Sequence, residues 1–289
     1  LQEITEYAID VEGYVAVDPT SQTIIVKVEG NVINFYYTKR TDLSYTVKYL
    51  EKGTDAVLAD EKVVGNQTFK STVTENAIDI EGYNKLDPKE QTITIKVENN
   101  EIIFYYAKRT DLEYTVNYLE KDTNQVLADS KTVTGQTYLA EVTENAIDIK
   151  GYDKVDPISQ SIVIKVENNV INFYYTKRTD LEYTVNYLEK DTNEVLADSK
   201  TVTDQTYLSE VTENAIEIKG YNKVDPTTQS IIIDVENNVI NFYYTKRTDL
   251  EYTVKYLEQD TNKALADEKV VTGQTYLAEV TESAIEIKG

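Results

Sequence analysis

The stretch EIIFYYAKRTDLEYTVNYLE at residues 101–120 decides the fold, because it holds two segments of alternating apolar residues and the polar link between them. In its first segment Ile102, Phe104 and Tyr106 fall on one face of an extended chain, and Tyr105 falls on the opposite face. An alternation of period two is typical of a β-strand with one buried face. The pattern therefore predicts a mainly β protein.

The same stretch recurs along the chain at intervals of 69 residues. The four arginines share one position of the repeat and the four prolines share another, and residues 113–181 differ from residues 182–250 at nine of 69 positions. Such similarity indicates recent copies of one unit. We therefore expect a tandem array instead of the two domains that a length of 289 residues would suggest. Five glycines are in register: Gly13, Gly82, Gly151, Gly220 and Gly289.

Two hairpins are predicted in each unit. One joins the segment 45–49, where Tyr45, Val47 and Tyr49 share a face, to the segment 57–64. The other joins residues 91–97 to residues 101–106 through a two-residue type I′ turn at Asn99-Asn100, since asparagine tolerates positive φ.

Two further local features follow from the repeat. Residues 72–80 fit either one short helical turn or an extended segment, and the sequence leaves both open. Another turn position is occupied in successive copies by residues that accept a left-handed backbone, so we predict positive φ there. These residues are Asn66, Gly135, Asp204 and Gly273.

A six-residue link, Thr-Lys-Arg-Thr-Asp-Leu at residues 38–43, joins neighbouring units. It spans at most about 20 Å, and it contains no flexible glycine or serine run, so the array is expected to be a stiff rod. We place the boundaries at these links, giving a partial repeat at 1–43, modules at 44–112, 113–181 and 182–250, and a partial repeat at 251–289. Cutting after the glycines is the alternative and gives 14–82, 83–151, 152–220 and 221–289. The segment opening with Leu1 suggests a fragment cut from a longer chain.

Composition excludes several classes of function. The net charge is −22, so nucleic acid and anionic lipid are poor partners. The chain has no cysteine and no histidine, which removes thiol nucleophiles, disulfides, the usual general base and the commonest metal ligand. The chain contains no run of 18 or more apolar residues, so we expect no membrane insertion. We expect no enzyme activity, no cofactor and no metal.

Several short motifs together resemble the mucin-binding protein (MucBP) repeat. They are the Tyr-x-Val-x-Tyr-Leu opening at 114–119, the Val-Thr-Gly turn at 133–135, the pair Gly151-Tyr152 and the closing Ile-x-Phe-Tyr-Tyr at 171–175. The resemblance covers nearly the whole chain. It implies a compact, ubiquitin-like β-grasp module with little helix, in a cell-wall-anchored, extracellular surface protein of Gram-positive bacteria. It also implies mucin or other host glycans as partners, without a fixed set of binding residues.

Candidate glycan-binding residues are one tyrosine per repeat and the turn asparagines Asn99 and Asn168. The tyrosine falls opposite the core face, where its ring could stack on a sugar; the alternative is that it covers the next module or the other sheet face. These tyrosines are Tyr36, Tyr105, Tyr174 and Tyr243.

The arginine of each link precedes an aspartate by two residues and is a candidate for an inter-module ion pair that fixes the angle between units. These arginines are Arg40, Arg109, Arg178 and Arg247. The turn Asp191-Thr-Asn193-Glu194 could hold calcium weakly, but it lacks the order of an EF-hand loop, and a plain turn is preferred.

The sequence thus predicts a non-catalytic stalk or adhesion segment whose partners are neighbouring repeats and host mucin or glycan. The alternative is an array of dedicated glycan-binding modules with one weak site per repeat. A pocket recurring once per repeat would favour the alternative, and smooth polar faces would favour the stalk.

Overall fold

The computed structural model describes residues 2–288, and every regular element within them is a β-strand. The prediction of a mainly β tandem repeat is therefore confirmed. Within the described residues there is no helix at all, and so none that is long and apolar enough to cross a membrane. In chain order the strands are β1 (Glu3–Tyr7), β2 (Tyr14–Ala16), β3 (Ser21–Ile25), β4 (Tyr37–Lys39), β5 (Leu43–Glu51), β6 (Val57–Gln67), β7 (Thr72–Asn76), β8 (Tyr83–Lys85), β9 (Glu90–Thr94), β10 (Glu101–Lys108), β11 (Leu112–Glu120), β12 (Val126–Gln136), β13 (Glu141–Asn145), β14 (Tyr152–Val155), β15 (Ser159–Val163), β16 (Val170–Lys177), β17 (Leu181–Glu189), β18 (Val195–Gln205), β19 (Glu210–Asn214), β20 (Tyr221–Lys223), β21 (Thr228–Ile232), β22 (Val239–Lys246), β23 (Leu250–Val254) and β24 (Lys269–Gln274).

Each of the three complete repeats builds one four-stranded sheet and one two-stranded sheet. In the first complete sheet the strand order is β6-β5-β10-β8, and the same order recurs as β12-β11-β16-β14 and β18-β17-β22-β20. The central pair β5 and β10 is parallel, and both outer pairs are antiparallel. A parallel pair requires a long crossover, which here contains β6 to β9.

The hairpin predicted from Tyr45 is confirmed, since β5 and β6 pair antiparallel with irregular register along the pair. The ambiguity at residues 72–80 resolves as extended, since β7 is a strand over Thr72–Asn76. Positive φ is confirmed at all four positions of the predicted turn class: Asn66 (+56°), Gly135 (+71°), Asp204 (+58°) and Gly273 (+73°).

The second predicted hairpin is wrong. Strand β9 pairs with β7, not with β10, because both edges of β10 are occupied by β5 and β8. The turn is not type I′ either, since Asn99 has positive φ (+60°) whereas Asn100 is not among the positive-φ residues. Instead the Asn100 side chain closes the turn: its Oδ1 accepts from Lys96 N at 2.8 Å, and its Nδ2 donates to Lys96 O at 2.9 Å and to Ser44 O at 3.0 Å.

The chain packs as two compact units. The first comprises Leu1–Asn117, Ser130–Asn145 and Ser159–Ile171, and the second comprises Tyr118–Asp129, Ala146–Ile158 and Asn172–Gly289. The first contains a core in which the inner face of the β6-β5-β10-β8 sheet packs against the β7–β9 pair. The second contains the equivalent core from β17 to β22. Burying these apolar faces is what stabilises the repeat.

The tyrosines of the core satisfy their hydroxyl groups inside the same repeat. Tyr106 is fully buried and donates to Ile78 O at 3.0 Å, and Tyr45 donates to Glu75 Oε1 at 2.6 Å. A buried hydroxyl without a partner would be costly, so these bonds allow tyrosine where phenylalanine would otherwise be expected.

Candidate functional site

The recurring tyrosine lies on the outer face of each four-stranded sheet at Tyr105, Tyr174 and Tyr243, whereas Tyr36 directly precedes the short strand β4. Phe104 and Tyr106 are fully buried, whereas Tyr105 between them is 38% exposed. Tyr174 and Tyr243 are half-buried in the same alternation, and Tyr36 is 70% exposed. Each ring is therefore accessible on one side, as a stacking role requires.

The chemistry around this tyrosine differs between repeats. In the repeat at 182–250, Asn186 Nδ2 donates to Asn241 Oδ1 at 2.9 Å, and Ser199 Oγ donates to Asn186 Oδ1 at 2.7 Å. In the repeat at 44–112 the equivalent strands carry an ion pair between Lys48 and Glu101. The outer face is therefore neutral and rich in amides in one repeat and charged in another.

The turn asparagines lie just before the strand that carries the tyrosine. Asn99 and Asn168 have φ of +60° and +62°. The strand begins at Glu101 and Tyr105 lies four positions along it, which at about 3.3 Å per residue places the tyrosine about 13 Å beyond the turn. The structure therefore does not bring the predicted tyrosine and asparagine together into one sugar-sized site.

A shallow groove recurs beside these turns. Three copies, with volumes of about 500, 440 and 470 Å³, lie between the link, the start of the following strand and the turn. The first copy is lined by Arg40, Asp42, Glu98, Asn99 and Glu101, among others. Three carboxylates against one guanidinium make the groove unfavourable for anionic ligands.

The link arginines are already paired within the link itself. Arg178 Nε donates to Asp180 Oδ1 at 2.9 Å, and Arg178 Nη2 donates to Asp180 Oδ2 at 2.8 Å. The guanidinium holds the pKa of Asp180 below its ordinary value, chiefly through these hydrogen bonds. The same bidentate pair forms at the other three links. An exposed pair of this kind contributes little to stability because solvent screens it, so its main effect is on the shape of the link.

The arginine connects successive repeats by its main chain. Arg178 N donates to Gly151 O at 3.0 Å in the preceding repeat, and Tyr207 N donates to Arg178 O at 2.9 Å from the following repeat. The predicted inter-module role therefore falls on the backbone of Arg178 more than on its side chain.

An aromatic contact that the sequence analysis did not identify closes each joint. The ring of Tyr207 meets that of Tyr152 edge-to-face, with centroids 5.6 Å apart and planes at 78°. It also covers Gly151, whose φ is +79° and where an added Cβ would lie 2.3 Å from Tyr207 Cε1. We call this set, Gly151, Tyr152 and Tyr207, the aromatic joint. Equivalent pairs with the same 5.6 Å spacing are Tyr14–Phe69, Tyr83–Tyr138 and Tyr221–Tyr276.

A second recurring group ties the β17–β18 hairpin to β19. Glu213 Oε1 accepts from Tyr183 Oη at 2.6 Å and from Lys200 Nζ at 2.5 Å. These two donors, with Lys200 the stronger influence, hold the pKa of Glu213 below its ordinary value. All three groups are mutually satisfied, so the cluster stabilises the fold and offers no free catalytic acid or base.

The acidic turn considered for calcium is closed by its own hydrogen bonds. Asn193 has φ of +58° and donates its backbone N–H to Glu189 O at 2.8 Å, while Thr192 Oγ1 donates to Glu189 Oε2. Between residues 2 and 288, no three side chains of the His, Cys, Asp or Glu type group together in a way that could hold a metal ion.

Comparison with known proteins gives distant structural likenesses only. No protein-family model matches the chain, and no curated protein matches its sequence. The TIE protein of Bacillus anthracis has 12% identity and a TM-score of 0.34, over 85% of this chain and 68% of that one. A streptococcal ancillary pilin has 9% identity and a TM-score of 0.22, over 71% and 99%. Mub-RV has 12% identity and a TM-score of 0.15, over 71% and 98%.

Proposed function

We propose that the chain is a non-catalytic stalk or adhesion segment of a Gram-positive cell-surface protein of the MucBP type. The observation that carries the proposal is the aromatic joint, which occurs four times with one ring spacing and interplanar angles between 72° and 79°. Flexible linkers do not reproduce one geometry at every junction. The joints therefore support a segment whose task is to hold successive modules in a fixed arrangement.

The chemistry of the joint explains why it would resist bending. The glycine has no Cβ, so the tyrosine ring can lie directly against its backbone. Two backbone hydrogen bonds run through the link arginine into both neighbours. A bend at the joint would have to break these bonds and expose the edge-to-face pair, which costs about 0.5–1.5 kcal/mol beyond the loss of buried area.

The proposal takes residues 44–112, 113–181 and 182–250 as the modules. The sheet of strands β5, β6, β8 and β10 draws only on residues 43–108, and that of β17, β18, β20 and β22 only on residues 181–246. Each sheet begins at the last residue of one link and ends at the second residue of the next link, which supports cutting within the links. Extracellular location and attachment to the cell wall are part of the same proposal.

The competing function is an array of glycan-binding modules with one weak site per repeat. Two observations favour it: the groove recurs beside successive links, and the outer face presents an accessible tyrosine. The acidic groove and the net charge of −22 would repel anionic mucin glycans, so the glycans bound by this array would be ones without negative charge. A glycan array screened with the whole chain would detect such binding.

A distance measurement tests the stalk. Because the chain has no cysteine, spin labels can be placed uniquely through Lys121→Cys and Lys190→Cys, at two exposed equivalent positions of neighbouring modules. A fixed joint gives one narrow distance distribution. Labels at Lys190 and Gln259, the equivalent exposed positions on either side of the next joint, provide a replicate in the same chain. Broad distributions at both joints would refute the stalk, whatever the glycan array shows.

A further inference from the structure

A salt bridge spans the joint between the repeats at 113–181 and 182–250. Lys150 Nζ lies 2.8 Å from Asp234 Oδ2, with the two side chains 60% and 49% exposed. Lys150 directly precedes the joint glycine Gly151, and Asp234 follows the buried Ile233 just after β21 in the next repeat. The pair therefore lies beside the aromatic joint.

The same two positions carry opposite charges at the preceding joints, with the signs reversed. The residues equivalent to Lys150 and Asp234 are Glu81 and Lys165 at one joint, and Glu12 and Lys96 at the other. Lys165 and Asp234 also occupy one of the nine positions at which two otherwise nearly identical repeats differ. All three position pairs lie within the described residues, and the pair Lys150 and Asp234 is the one that forms a salt bridge in the structure.

Both reversals are needed to keep the joint attractive. If Lys150 faced a repeat carrying Lys165, two ammonium groups would meet, and if Glu81 faced Asp234, two carboxylates would meet. Like charges placed together disfavour an interface, whereas opposite charges select a partner and fix its register. Near-identical repeats are prone to pairing with the wrong copy, so such selection has a clear use.

We propose that Lys150 and Asp234 form a charge key that makes the end of repeat 113–181 dock on repeat 182–250 of its own chain in preference to repeat 113–181 of a second copy. The aromatic joint cannot make this distinction, because its rings and glycine are the same in both repeats. The charge key therefore selects which repeat is docked, whereas the aromatic joint alone would accept either repeat.

The test uses charge reversals in the whole chain. Lys150→Glu and Asp234→Lys are each expected to raise hydrogen exchange at the Tyr207 amide by about twofold to fivefold at low salt, and the double variant K150E/D234K to restore it. The effect should vanish at about 1 M salt, where the screening length is about 3 Å. Lys219→Glu, at the equivalent position of the next repeat, is the matched control.

The two single variants also separate the pair from net charge. Lys150→Glu makes the chain more acidic and Asp234→Lys makes it less acidic, so a general charge effect would move exchange in opposite directions. The proposed pairing would be overturned if the two single variants changed the exchange rate in opposite directions. It would also be overturned if the double variant exchanged as fast as the two single effects added together.

Selectivity is measured by refolding at high protein concentration. Lys150→Glu and Lys150→Ala both break the salt bridge within the chain, but only the glutamate matches Lys165 of another molecule, so Lys150→Glu should give more dimer than Lys150→Ala does. Equal dimer fractions would overturn the key even if the exchange data fit, whereas the stalk would stand.

Discussion

Replacing Gly151 by alanine is expected to open one aromatic joint while leaving the modules folded. An added Cβ would lie 2.3, 2.4 and 2.5 Å from three ring atoms of Tyr207, whereas carbon atoms in ordinary contact are about 3.5–4.0 Å apart. The ring must therefore move by more than about 1 Å. The left-handed backbone at φ +79° adds strain for any residue with a Cβ.

The magnitude follows from these two terms. Left-handed alanine costs about 1–2 kcal/mol, and loss of the edge-to-face pair with Tyr152 adds about 0.5–1.5 kcal/mol. Gly135→Ala is the matched control, because Gly135 has a similar φ of +71° and nothing within 4 Å of its Cβ position. The control carries only the backbone cost, so the difference between the unfolding free energies of the two variants isolates the ring contact.

Hydrogen exchange at Tyr207 N and Arg178 N reports the opening, since these amides donate across the joint. An additional loss of about 1.4 kcal/mol would make exchange about tenfold faster in Gly151→Ala than in Gly135→Ala. The spin-label distance across this joint should broaden in parallel. If both variants exchanged at the same rate, the ring packing would contribute nothing to the joint and the stalk would lose its main support.

Three further outcomes are expected. Leu208 has φ of +61° and is 50% exposed, so Leu208→Gly should relieve about 1 kcal/mol of strain and raise or preserve the melting temperature; a clear fall would contradict the strain. Stability should be flat between about pH 6 and 8. The lowered pKa of Glu213 contributes stability that is fully present above about pH 4.3 and is lost as pH falls through the folded pKa of this carboxyl. At the alkaline end, burial raises the pKa of Tyr106 to about 12, so stability present below about pH 10 should be lost as pH rises toward 12; chemical denaturation across pH checks both limits. If the array binds neutral glycan, adhesion should rise steeply with module number by avidity, and should fall, with the circular dichroism spectrum unchanged, when alanine replaces Tyr105, Tyr174 and Tyr243.

Local features of the fold and the β5–β6 hairpin could be predicted from the sequence, but the partners of β9 and β10 could not. The alternation at Tyr45, Val47 and Tyr49 identified a buried strand face, and turn residues such as Asp204 identified positive φ. Both depend on the chemistry of neighbouring residues. The partner of β9 depends on which edges of β10 are already filled, and that is decided by a parallel pairing between residues about 55 positions apart.

For the candidate site residues too, local properties could be predicted from the sequence and long-range contacts could not. The outward direction of Tyr105 follows from period two alone. The contact between Tyr152 and Tyr207 was missed because the two lie 55 positions apart and Tyr207 belongs to a segment without alternation. A signal was present in the chain: each Gly-Tyr pair is followed, at one fixed offset, by another aromatic residue. A glycine that recurs directly before an aromatic residue indicates that a large side chain lies close to the glycine backbone.

The parallel pairing of β5 and β10 determines how a repeat would carry a pulling force. The chain enters the sheet at the beginning of β5 and leaves it at the end of β10, so the two links depart from opposite ends of one shared ladder. Tension along the chain therefore slides the two strands past each other instead of peeling them apart. The six residue pairs from Thr46↔Glu101 to Glu51↔Tyr106 are loaded side by side, and their hydrogen bonds must fail together. A pulling force applied to a repeat through its two links therefore acts in the direction in which the sheet best resists unfolding.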